Sequence, residues 1–238
     1  MHPNTPHYIL SNIVLLPLAA FFITFITHMK KVIFYFDGFN FYNGLKDKCK
    51  KDAVWKRYYW IDFVKFCSQF LPDTQELVKV KYFTAPPQNP YKRSRQATLF
   101  AANSLINQEK FEIIKGKYID KTVGCKICGS PFQVPEEKRT DVNISCHMLL
   151  DCFKNNADKL ILVTADSDLI PTIECIKQNF PDKQFKIYFP PFRTSMDLIN
   201  LCKPVVFLEN NPKKFDAAIM EDTISKDGKS FTKPSQWL

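Results

Sequence analysis

Short apolar runs alternate with helically spaced apolar residues along most of the chain. The runs fall at residues 32–36, 77–83, 111–119, 159–163, 185–189 and 205–208. Near-continuous apolar runs of this length predict strands buried on both faces, with the last one at an edge. Between them, apolar residues at helical spacing predict helices starting at Phe41, over 59–71 (Ile61, Val64, Phe66, Phe70), over 142–153 (Ile144, Met148, Leu149, Cys152), over 169–180 and over 198–202. A further helix is predicted from Tyr91 to about Asn107, after a proline-rich loop at 85–90. Strand alternating with helix gives the α/β class: a mostly parallel sheet with helices on both faces.

The two ends break this pattern. Residues 1–28 hold no Lys, Arg, Asp or Glu, and 8–26 are almost wholly apolar, near the roughly 20 residues of a membrane helix. This leader reads as the product of a misplaced start codon, with Met29-Lys30-Lys31 as the natural beginning. The alternative is a membrane anchor whose basic flank keeps the domain inside. A signal peptide fits less well, because the amino end carries no basic residue. From Asn210 to Leu238 the chain is polar and reads as a mobile tail. The domain between is expected to span 29–209.

The formal charge of +9 suits a polyanionic partner. Eight cysteines at irregular spacing exclude a secreted disulfide framework and point to a reducing compartment. The expected location is cytoplasmic or, with the leader retained, anchored at the inner membrane with the domain in the cytoplasm. The totals leave a homo-oligomer open.

Candidate chemistry lies where strands end. Asp37 closes the first strand, in Asp37-Gly38-Phe39-Asn40, and Asp166 and Asp168 follow the apolar run at 159–163. The carboxyl ends of parallel strands are where open α/β sheets place their sites. Asp141 begins a helix. Blander roles exist: Asp37 as a helix cap, and Asp141 as a partner of the helix dipole. Gathered together, these acids repel one another, and a hard cation such as Mg²⁺ or Mn²⁺ relieves that cost.

Two other stretches carry chemistry. Tyr91-Lys92-Arg93-Ser94-Arg95 sets three cations beside an aromatic at a helix start, a pattern able to hold a phosphate backbone and stack on a base. Gly124-Cys125-Lys126-Ile127-Cys128-Gly129 is half of a zinc knuckle. Cys146 and His147 are the nearest further ligands, but helix neighbours point apart. A complete Zn²⁺ site, a degraded one, one shared between chains, and a redox pair all stay open.

Asp37-Gly38-Phe39-Asn40, Glu137-Lys138-Arg139-Thr140-Asp141-Val142, Thr164-Ala165-Asp166-Ser167-Asp168-Leu169 and Pro190-Pro191-Phe192-Arg193-Thr194-Ser195 occur in an order and spacing that resembles NYN domains of the PIN-like nuclease superfamily. The resemblance implies a three-layer α/β/α fold carrying a small Cys-x-x-Cys hairpin insertion. It implies an Mg²⁺- or Mn²⁺-dependent ribonuclease acting on RNA in a bacterial cell. Asp37, Asp141 and Asp166 would hold the metal, and Asp168 would assist. Asn40 would position the first acid or the phosphate. Lys138 would sit near the phosphate, and Arg193 and Ser195 near the substrate's path. Two positions depart from many relatives: Ala165 stands for a glycine, and His147 for a further acid. A binding-only RNA module and a metal-dependent phosphatase are the alternative functions.

Overall fold

The computed structural model describes residues 29–237, so the predicted leader lies outside the described residues. In chain order the elements are β1 (Lys30–Asp37), α1 (Gly38–Lys51), α2 (Phe63–Ser68), β2 (Gln75–Thr84), α3 (Pro90–Asn107), β3 (Phe111–Lys115), β4 (Lys117–Gly124) and β5 (Pro131–Lys138). They continue with α4 (Thr140–Phe153), β6 (Lys159–Val163), α5 (Ile170–Asn179), β7 (Gln184–Phe189), α6 (Met196–Leu201), β8 (Val206–Phe207), α7 (Pro212–Ala218), β9 (Thr223–Lys226) and β10 (Lys229–Thr232).

Six strands form one sheet in the order β3-β2-β1-β6-β7-β8, and every pairing in it is parallel. The alternation within β1 explains the three layers. Val32, Phe34 and Phe36 face one core with Phe41, Phe63, Phe66, Phe100 and Phe215. Ile33 and Tyr35 face the other, with Ile144, Met148, Ile173, Ile176 and Leu198. Neighbouring side chains on a strand point to opposite faces, so a strand apolar throughout needs cover on both sides. Helices α1, α2, α3 and α7 cover one face, and α4, α5 and α6 the other. The α/β prediction holds, and β8 is the edge strand expected at 205–208.

Four local expectations are corrected. The strand predicted over 111–119 breaks at Gly116, where β3 ends and β4 leaves the sheet. A side chain there would stand 2.6 Å from Thr140 Oγ1 and 2.9 Å from the Lys138 carbonyl oxygen. The chain therefore passes against the start of α4 through a residue with no Cβ. The residues from 135 to 138, which the pattern predicts only as the approach to the helix at 142–153, belong to β5, antiparallel to β4 in the expected hairpin. Cys125 and Cys128 lie at the tip of this hairpin.

The helix predicted over 59–71 is shorter. A 3-10 turn occupies Ala53–Tyr59, and α2 starts only after Asp62, whose carboxylate accepts from the Lys65 N–H. Trp60 and Ile61 between them are held instead by backbone contact with the segment around Ile219.

The polar stretch 210–238 is not a loose tail over its described part. Phe215 and Ala218 enter the first core, and Met220 and Trp237 pack with Trp60 and Ala102 in a third cluster. Three or four well-spaced apolar residues suffice to fasten this segment, too few to stand out in a polar background. Among the described residues no helix is long and apolar enough to cross a membrane.

Candidate metal centre

Adjacent strands β1 and β6 run in parallel register, with Phe36 beside Val163. Their ends therefore lie side by side. Beyond that pair, the Thr164 hydroxyl donates to Asp37 Oδ2 at 2.8 Å, and the Asp166 N–H donates to Thr164 Oγ1 at 3.0 Å. Asn40 adds a second tie. Its N–H donates to Asp37 Oδ1 at 3.0 Å, while its side-chain oxygen accepts from the Ala165 N–H at 3.4 Å. Helix α4 brings Asp141 in its first turn, after Arg139 at a left-handed φ of 78°. One carboxylate oxygen from each of Asp37, Asp141 and Asp166 lies within 4.8 Å of the others.

The electrostatics of this trio are costly. Burial pushes the Asp37 carboxyl up to about 6; hydrogen bonds from Asn40 and Thr164 oppose the rise, and the charges of Asp141 and Asp166 add to it. Burial also raises Asp141, as do the charges of Asp166 and Asp168. Among the described residues no lysine, arginine or histidine forms an ion pair with any of these four acids. The donor set is oxygen only, partly desolvated and unneutralised, which fits a hard divalent cation.

The Asp37 shift has a stability consequence. Its folded value lies above the unfolded one, so between them the folded chain holds a proton that the unfolded chain has lost. Metal-free stability attributable to Asp37 is therefore full below about pH 4 and falls as pH rises through about 6. Above that, the ionised side chain costs about 3 kcal/mol. Asp37→Asn in EDTA is expected to raise the urea midpoint at pH 8 and to change it little at pH 4. An equal effect at both values would show that the carboxyl is not perturbed.

The NYN domain model matches residues 31–209. The chain belongs to the NYN domain family. Its fold is that of the PIN-like, nuclease-type superfamily. A curated relative, 6-hydroxy-3-succinoylpyridine 3-monooxygenase HspA of Pseudomonas putida, is 27% identical over 176 residues, covering 60% of this chain. The chain spans about half of that protein's length, 54%. A crystal structure of a protein of unknown function from Vibrio parahaemolyticus superimposes with a TM-score of 0.50 at 22% identity, covering 75% of this chain and 93% of that one. That likeness is one of fold.

Around the NYN carboxylates, the other predicted residues divide. Asp168 is exposed, and its N–H donates to Asp166 Oδ1 at 2.9 Å. Lys138 ends β5 and pairs with Glu136 at 2.8 Å, mostly in solvent. Arg193 is turned away onto Asp47 of α1 at 2.6 Å, and Ser195 caps α6 by accepting from the Leu198 N–H at 3.4 Å. Of the basic helix start, Lys92 and Arg95 border a cavity beside Gly38. Arg93 instead donates to the carbonyls of Pro87 and Gln88 and braces the loop.

His147 does not join the acids: its ring lies edge-on to Phe83, with Nδ1 3.4 Å from Lys81 Nζ. Cys125 and Cys128 stay a pair; among the described residues no further ligand completes a Zn²⁺ site with them. Hydrogen bonds from Ser130 and Cys125 hold the exposed Cys128 thiol down at about 7.

Two supporting residues carry roles that the sequence reading did not give them. Thr164 links two of the three acids. Glu137 accepts from the Thr140 hydroxyl at 2.5 Å and from the Ala85 N–H at 3.1 Å, fastening the start of α4 to the end of β2. A short polar side chain just past a strand is the usable signal for Thr164. Glu137 has none, because the strand that carries it was not recognised.

Proposed function

We propose that this NYN domain hydrolyses RNA phosphodiester bonds, with Mg²⁺ or Mn²⁺ held by Asp37, Asp141 and Asp166. The carrying observation is the convergence of three carboxylates from β1, the start of α4 and the end of β6, with no basic side chain among the described residues in an ion pair with them. When bound, such an ion supplies an activated water and neutralises charge on the phosphodiester.

The chain's own residues supply the rest. Asn40 and Thr164 fix the rotamer of Asp37, so its outer oxygens need no reorganisation on binding. Asp168, exposed and bonded through its N–H to Asp166, would hold a water or take its proton. Lys138 has only a solvent-exposed partner, worth little to either residue, and is available to a phosphate oxygen. The surplus of basic residues draws in the RNA backbone, more strongly at low salt. Arg193 acts at one remove, by fastening α1 through Asp47.

The oxygenase activity named for the Pseudomonas relative belongs to that protein, and the acid set here supports hydrolysis. Retention of all four acids also speaks against a binding-only module. Single-stranded RNA is expected to be cut in Mn²⁺ or Mg²⁺, and EDTA to stop cleavage while a gel shift still shows bound RNA. RNA bound but never cut, whichever of the two ions is supplied, would establish the binding module instead.

A further inference from the structure

A cavity of about 460 Å³ opens next to Gly38, the residue after Asp37, bounded by α1, α3, the β4–β5 hairpin and Trp237. Its walls are aromatic. Tyr59 and Trp237 stack at 5.7 Å with ring planes 23° apart, and Tyr42 lies 5.7 Å from Tyr59. Phe39 and Tyr42 are 50% and 39% exposed. Two such rings left open to water on one wall of a cavity are a surface for another flat ring to cover.

The rim is cationic. Lys46, Lys92 and Arg95 border the cavity, and none of them pairs with a carboxylate among the described residues. Asn43 and Gln96 add amide groups. The cavity also touches the metal centre through the chain itself. Gly38 lines it and directly follows Asp37; Glu137 lines it and bonds Thr140, the neighbour of Asp141. At Gly38 a side chain would stand 2.5 Å from the Phe83 carbonyl oxygen and from the Tyr82 ring. Only glycine lets α1 begin this close to β2, at the point where the cavity wall follows Asp37.

We propose that the cavity takes the unstacked nucleobase of the nucleotide adjoining the scissile phosphate, and so selects single-stranded or bulged RNA. This rests on the ribonuclease reading and names its substrate class. A π-face is common to every base, so the rings Phe39, Tyr42 and Tyr59 give affinity without strong sequence preference. Lys46, Lys92 and Arg95 hold the phosphates that flank the inserted base. A base inside a regular helix is disfavoured, since unstacking and unpairing it costs a few kcal/mol. Trp237 lies past the family match at 31–209, so this wall is supplied by the chain's own carboxyl-terminal segment.

The test uses the full chain in EDTA, where RNA binds uncut, and RNA duplexes whose single unpaired bulge fixes the register, carrying one 2-aminopurine in the bulge or at successive paired positions. Quenching of its fluorescence is expected at one or two fixed positions, next to the bond cut when Mn²⁺ is restored. Tyr42→Ala, at a half-exposed site that leaves the core intact, is expected to weaken binding roughly tenfold and to remove the quench. Arg95→Ala is expected to lower the salt dependence of binding by about one counterion. An abasic nucleotide at the quenched position should match the Tyr42→Ala loss. Uniform quenching at every position, or quenching unchanged in Tyr42→Ala and Phe39→Ala, would overturn the base site even with cleavage intact. Position-specific quenching without cleavage in Mn²⁺ would uphold the base site and remove the hydrolytic reading alone.

Discussion

Asp166→Ala is expected to abolish metal-dependent RNA cleavage and leave the fold standing. Loss of a residue that merely supports a metal ligand costs 10- to 100-fold in affinity or activity. Loss of one of three ligands should therefore cost more than about 100-fold. The structural cost is small. Asp166 sits on a loop rather than in a core, and its carboxylate accepts from the Asp168 N–H as a cap. Losing a cap of that kind costs about 1 kcal/mol. Relief of repulsion on Asp37 and Asp141 offsets part of it. Initial rates on single-stranded RNA in Mn²⁺, beside a urea melt, measure both halves. A variant that cuts at the wild-type rate removes Asp166 from the centre.

The largest stability effect is expected away from those acids, at Asp151. Its carboxylate is buried on α4 and accepts from Lys81 Nζ at 2.6 Å, the Tyr35 hydroxyl at 2.7 Å and Asn156 Nδ2 at 3.0 Å. Lys81 and Asp151 side chains are 9% and 3% exposed, so water replaces either partner only poorly. Asp151→Ala leaves the Lys81 charge buried and unpaired, which costs about 3–5 kcal/mol. The double change Lys81→Met with Asp151→Leu removes both charges and should recover much of that loss. Urea midpoints for the single and double variants form the check. A single variant within 1 kcal/mol of wild type would show that Lys81 reaches solvent on its own.

The sheet and two of the three acids were legible in the sequence because one physical signal marks both. Residues 32–36 and 159–163 are apolar on both faces, and each run ends within three residues of an aspartate. That Asp37 and Asp166 would be neighbours needed the strand order, which the family resemblance implied and the sheet pairing supplies. Asp141 was legible as a helix start, though its approach through β5 and a left-handed Arg139 was not. A hairpin that stands off the sheet buries little, so its sequence shows no clean alternation.

The cavity was the least legible feature. Gly38, Tyr42, Tyr59 and Trp237 share no spacing in the chain and meet only through tertiary packing. Asp37 both caps α1 through the Asn40 N–H and stands in the carboxylate trio. Arg193, expected near the substrate's path, forms an ion pair with Asp47 that the sequence spacing did not signal.

The hydroxyl of Thr164 reaches Asp37 across 127 residues of sequence. While the protein is being made, the first acid emerges early and waits for a partner that the ribosome has yet to deliver. Any activity that needs the two together begins only once β6 docks beside β1. Until then a nascent chain carries the first acid without the hydroxyl that orients it.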